Sequence, residues 1–98
     1  IRCLMRYWVF CYDIADNRRR RRLVRVLADA GAQRVQESVF EGWFGSREIA
    51  ALRLQVCEEI EEGEDSFRCY ALPSLSGRRR ESIGLAPPAA ARRPEWVV

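Results

Sequence analysis

The apolar positions of this chain change period several times, and each change marks a predicted element. Leu4 to Tyr12, LMRYWVFCY, is dense in aromatic and β-branched residues and predicts a strand. Its alternate faces, Leu4, Arg6, Trp8, Phe10, Tyr12 and Met5, Tyr7, Val9, Cys11, Asp13, are both mostly apolar. A strand with one wet face alternates more cleanly, so the second face predicts a cover, and a second copy of the chain is the cover expected. From Asn17 to Ala30 the spacing turns helical, with Leu23, Val24, Leu27 and Ala30 on one stripe. Asp16 is placed to cap its start and Gly31 its end.

Gln33 to Phe44, QRVQESVFEGWF, predicts one or two strands with a bend at Gly42, and Val35, Val39 and Phe40 break a single period-two register, which predicts a bulge. Ser46 is the expected cap of a second helix to about Glu62, striped by Ile49, Leu52, Val56 and Ile60 and ended by Gly63. Asp65 to Leu72 alternates again as a strand. Pro73 and Gly77 bracket a turn, and Arg78 to Ile83 is a candidate short last strand. This order predicts an α+β, ferredoxin-like βαββαβ sandwich with an extra C-terminal strand over 1–85. The Pro/Ala-rich tail 86–98 ends in the apolar tip EWVV, expected to dock as an added strand on the dimer or on a partner.

Length supports this economy, since 98 residues fit one domain with a modest core. Met5 is a candidate natural start, which makes Ile1 to Leu4 upstream sequence. No apolar run approaches the roughly 20 residues of a membrane span, and the N-terminal segment has no signal-peptide cleavage pattern, so no membrane partner is expected. Cys3, Cys11, Cys57 and Cys69 are widely spaced and no His is present, which argues against zinc and for reduced cysteines in a cytoplasmic protein.

Net charge is only +3, but every one of the 17 basic residues is Arg. The planar guanidinium fork suits phosphate and carboxylate, although a GC-rich genome would also favour Arg. Five arginines, Arg18 to Arg22, open the first predicted helix, the end at which cations oppose the helix dipole. Phosphate is the natural compensating anion there, so Arg18, Arg19, Arg20 and Arg22 are candidate nucleic-acid contacts, extended by Arg34 and by Arg78 and Arg79 of the run Arg78 to Arg80. Arg18, Arg22 and Arg25 share a solvated face, whereas Arg20 lines up with Val24 and Leu27. The acids Glu58, Glu59, Glu61, Glu62 and Glu64 gather elsewhere, as a solvated face, a surface that repels DNA, or a dock for a basic partner.

Asp13 ends the first strand where the helix does not need it as a cap. It is either an Asx-turn residue or a ligand for Mg²⁺, which accepts one or two carboxylates together with waters and phosphates. One carboxylate per chain is a poor site, but a two-fold dimer would bring two copies of Asp13 to one cation.

The segment YDIADNRRRRRLVRVLADAGAQRVQESVFEG resembles the hallmark of the CRISPR-associated Cas-two family, and EEGEDSFRCYALP resembles its fourth strand. The resemblance covers Tyr7 to Pro73 and leaves the tail after Leu85 uncovered. It implies a ferredoxin-like homodimer in CRISPR adaptation, the spacer-acquiring arm of antiviral defence, bridging dimers of the Cas-one integrase on duplex DNA. It also implies a Mg²⁺-dependent endonuclease on single-stranded RNA or double-stranded DNA. The family's metal aspartate falls on Asp13, with Tyr12 before it at the catalytic position. Its arginines fall on Arg20, Arg22 and Arg34, and its Ser-Val-Phe on Ser38, Val39 and Phe40, with Ser38 and Phe40 as structural neighbours of the site. Three readings compete: a DNA-binding scaffold, a metal-dependent phosphodiesterase, and a non-catalytic ferredoxin-like nucleic-acid-binding or regulatory module. Without His or Lys, a phosphodiesterase would depend on metal-bound hydroxide.

Overall fold

The computed structural model of the chain describes residues 5–72. In it β1 (Arg6–Asp13), α1 (Asn17–Asp29), β2 (Gln33–Gln36), β3 (Val39–Phe44), α2 (Ser46–Glu59) and β4 (Ser66–Leu72) follow one another. The strands form one sheet in the order β2-β3-β1-β4, and β1 pairs antiparallel with both β3 and β4. This is the predicted βαββαβ ferredoxin-like arrangement. The turn at Pro73 to Gly77, the last strand, the 1–85 boundary, the tail, Arg78 and Arg79 lie outside the described residues.

β1 lies between β3 and β4, and the helices cover one of its two faces. Its Phe10 and Tyr12 are buried with Phe40 and Phe44 of β3, Leu23 and Leu27 of α1, and Ile49, Leu52 and Val56 of α2. Phe67 and Cys69 of β4 and Trp8 pack around this cluster. Phe10, Phe40, Leu23 and Leu27 are the most deeply buried, so the core is anchored by the centre of the sheet and the middle of α1. Trp8 also carries the Arg53 guanidinium, 5.7 Å from its ring centroid.

On the opposite face, Tyr7, Val9 and Cys11 lie in register with Trp43, Glu41 and Val39 of β3 and with Leu72, Tyr70 and Arg68 of β4. The Tyr7 hydroxyl donates to Glu41 Oε1 at 2.7 Å, which satisfies a buried carboxylate in the middle of the sheet. Val9, Cys11, Val39, Trp43 and Leu72 are half-buried, and Tyr70 is 48% exposed.

Asp16 caps α1 as expected: its backbone is extended and its carboxylate accepts the Arg19 N–H at 2.9 Å. That bond, first among the causes, holds the Asp16 pKa below its ordinary value. At the other end the Gly31 N–H donates to the Ala28 carbonyl and the Ala32 N–H to the Leu27 carbonyl, a Schellman closure. Gly31 takes φ +101°, which a side chain would resist.

The expected bulge is present, in β2 between Arg34 and Gln36, and the two-strand alternative holds, with the hairpin turning at Glu37 and Ser38. Several local expectations need correction. Gly42 is a paired residue of β3 opposite Trp8, where the chain does not bend. Its need for glycine is space: a Cβ there would sit 2.8 Å from the Phe44 ring and 3.4 Å from the Ala32 Cα. The cap of α2 is Gly45, not Ser46, and its N–H donates to Glu48 Oε1 at 2.7 Å. α2 stops at Glu59 rather than Glu62, and Ile60 is already extended. Clustered acids oppose the dipole at a helix C-terminus, and the Glu61 N–H instead meets the Asp65 carboxylate at 2.9 Å.

Candidate nucleic-acid and metal site

The arginine run is divided by helical phase. Arg18, Arg21, Arg22 and Arg25, spaced i, i+3, i+4 and i+7, are exposed and line a shallow depression of about 210 Å³ on α1. Seven residues of helix span about 10 Å, several times the roughly 3.4 Å rise between nucleotides of one strand, so this stripe can meet more than one phosphate. Sequence reasoning named Arg18 and Arg22 as contacts. Helical spacing in the sequence places Arg25 on their solvated face, and the structure adds Arg21 to the same stripe.

The other two arginines of the run turn inward. Arg19 gives Nε to Asp65 Oδ2 at 2.8 Å and Nη2 to Asp65 Oδ1 at 3.2 Å and to Glu64 Oε1 at 3.1 Å. Its side chain is 19% exposed, and that of Asp65 is fully enclosed. The Arg19 guanidinium is first among the causes that hold the Asp65 carboxyl far below the usual carboxylate range, and Asp65 in turn raises the Arg19 pKa. Arg19, named from the sequence as a candidate phosphate contact, therefore has its guanidinium engaged by Asp65 and Glu64. Arg20 donates to the Ile14 carbonyl at 3.0 Å and to Asn17 Oδ1 at 2.6 Å. Arg22 stays outward but shares its Nε with Glu59 at 2.7 Å. The acidic group thus has a partner that composition did not reveal: two of its members, Glu59 and Glu64, answer arginines of α1.

Asp13 is exposed at the end of β1, opposite Ser66, and its carboxylate takes no hydrogen bond or ion pair from the described residues. Tyr12 points to the other face. It packs on Phe40, and its hydroxyl donates to the Glu37 carbonyl at 3.0 Å. Burial raises its pKa, while Arg34 and Arg20 pull the other way. Tyr12 thus ties the end of β1 to the β2–β3 turn and is turned away from Asp13. Arg34 Nη2 donates to the same Glu37 carbonyl at 2.7 Å, and the Ser38 carbonyl accepts the Tyr12 N–H at 3.1 Å. Ser38 and Phe40 therefore act as supports, Ser38 through its backbone and Phe40 through the core.

Among the described residues no three His, Cys, Asp or Glu side chains converge as a metal cluster. An unpartnered carboxylate in water fits a hard cation that keeps most of its hydration, provided a second copy supplies another. Cys11, Cys57 and Cys69 are free thiols, and no described helix is long and apolar enough to cross a membrane.

Residues 5–80 match the family model for CRISPR associated protein Cas2. The chain is 39% identical over 79 residues to the CRISPR-associated endoribonuclease Cas2 3 of Chloroflexus aurantiacus, covering 81% of this chain and 84% of that protein. Its fold superposes on the hypothetical protein TT1823 from Thermus thermophilus with a TM-score of 0.75 at 32% identity, covering 85% and 95% of the two chains. A chain of a partial Cas6-RT-Cas1–Cas2 complex matches with a TM-score of 0.69 at 25% identity, covering 95% of this chain and 99% of that one. This chain therefore belongs to the Cas2 family.

Proposed function

We propose that this chain works in the cytoplasm as a homodimer that binds duplex DNA and bridges integrase dimers during spacer acquisition, and that it cleaves phosphodiesters of RNA or DNA with Mg²⁺. One observation carries the binding reading: Arg18, Arg21, Arg22 and Arg25 face solvent along one stripe of α1, on the helix that Asp13 leads into. The contacts are to backbone phosphate, so they confer affinity without base preference. The relative solved within a Cas1–Cas2 complex supports an integrase partner, and the relative named an endoribonuclease supports cleavage. The half-buried second face of the sheet supports the dimer.

In cleavage, Asp13 and its two-fold mate would hold Mg²⁺, which supplies an activated water and neutralises charge on the scissile phosphate. The stripe arginines hold the flanking phosphates. Tyr12 and Arg34 brace the strand end through the Glu37 carbonyl, and Arg20 braces the loop that follows.

A paired assay of wild type and Asp13→Asn tests this reading. The variant should lose Mg²⁺-dependent cleavage by at least about 100-fold, while its affinity for duplex DNA stays within about twofold. Replacing Arg18, Arg21 and Arg25 by Ala should weaken all sequences alike and flatten the salt dependence by about 0.9 per phosphate contact removed. Equal cutting by Asp13→Asn would make Asp13 a turn residue only. Absence of cleavage in wild type, with binding and spacer insertion intact, would leave the scaffold role alone.

A further inference from the structure

The loop Ile14 to Asp16 carries the chain from Asp13 into α1, and each of its residues is held by a named bond. The Ile14 carbonyl accepts from Arg20 at 3.0 Å, the Asp16 carboxylate accepts the Arg19 N–H at 2.9 Å, and the Ala15 N–H donates to Asp65 Oδ1 at 3.0 Å. Asp65 is the hub. Its enclosed carboxylate receives four donors from three segments: Ala15 N–H, Glu61 N–H, and Nε and Nη2 of Arg19. It also directly precedes Ser66, the residue paired with Asp13 across β1 and β4. One buried carboxylate is therefore bonded two residues after Asp13 and stands in sequence next to the residue opposite Asp13.

We propose that Arg19 and Asp65 form a positioning pair for Asp13, fixing the Ile14–Asp16 loop so that the Asp13 carboxylate is presented to a cation without a prior ordering step. The proposal rests on the reading of Asp13 as a cation ligand. Ile14 is anchored in the core, but Ala15 and Asp16 are exposed, so these two residues are ordered by hydrogen bonds rather than by apolar burial. A ligand that binds through one carboxylate per chain gains most when that carboxylate is preorganised. The same bonds account for the inward turn of Arg19, a cost to the positive stripe that a solvated run would not incur.

The test titrates Mn²⁺, in place of Mg²⁺, into the full chain and its variants by calorimetry, well below each melting temperature, and follows amide hydrogen exchange at Ala15. Asp13→Asn should abolish Mn²⁺ binding. Asp65→Asn should weaken it about tenfold or more and speed Ala15 exchange by a similar factor, with the circular dichroism of the folded chain retained. Arg19→Lys keeps the charge but loses the two-pronged contact, and should weaken binding about threefold. This variant carries the test if Asp65→Asn does not fold. Arg47→Ala, at an exposed position of α2, should stay within about twofold. Wild-type Mn²⁺ affinity in Asp65→Asn or Arg19→Lys, with binding lost in Asp13→Asn, would overturn the positioning role and leave the reading of Asp13 intact. Equal Mn²⁺ affinity in wild type and Asp13→Asn would overturn that reading and the positioning role with it.

Discussion

Arg22 Nε lies 2.7 Å from Glu59 Oε1 and joins the outward stripe of α1 to the last residue of α2. The pair is open to water, with side chains 55% and 24% exposed, and such pairs contribute at most about 1 kcal/mol to stability. Its larger consequence is competition, because Glu59 occupies a guanidinium that phosphate would otherwise use.

Glu59→Gln should therefore leave the melting temperature nearly unchanged and tighten duplex DNA binding about threefold in low salt, an advantage that shrinks as salt screens the exposed charge. Fluorescence anisotropy across a salt series reads this directly. Unchanged affinity at low salt would place Arg22 outside the phosphate contacts.

The Arg19–Asp65 pair sets an acid limit on stability. Arg19, with the Ala15 and Glu61 amides, lowers the Asp65 pKa in the folded chain, so the unfolded chain binds the proton first. The stabilisation is full at pH 7, starts to fall as pH drops through the unfolded value of about 4, and continues downward toward the native value. Thermal melts should show a decline below about pH 4 that is shallower in Asp65→Asn, which has no carboxyl to protonate. An identical acid decline in that variant would assign the loss to other carboxylates.

Val9 lies at the middle of the second face, between Glu41 of β3 and Tyr70 of β4. If a second copy covers this face, wild type should sediment as a dimer at micromolar concentration and Val9→Arg as a folded monomer, because an unpaired charge cannot be buried there cheaply. A monomeric wild type with native circular dichroism would remove the dimer, and with it the shared cation site.

The low-order features of the fold were legible because they are local. The aromatic and β-branched density of Leu4 to Tyr12, the Leu23–Leu27 stripe, the Asp16 cap and the Gly31 stop each depend on neighbours within a few residues, so composition and helical period record them directly. Their order then implied the sandwich. The candidate site was legible only in part. Resemblance pointed to Asp13, and charge composition pointed to an arginine surface, but neither could divide the run into outward and inward members.

That division was decided in three dimensions. Arg19 and Asp65 are 46 residues apart, and they meet because β4 pairs with β1 and brings the α2–β4 loop beside the start of α1. Arg22 and Glu59, 37 residues apart, meet because both helices pack on the same face of the sheet. Tyr12 looked catalytic beside Asp13 in sequence, yet a strand sends successive side chains to opposite faces, so it joins the core. By itself the sequence determined which residues form each element and which of them carry charge. Only the tertiary structure decided which charges neutralise one another and which stay open to a ligand, because an ion pair is selected by distance in space and by the water excluded around it.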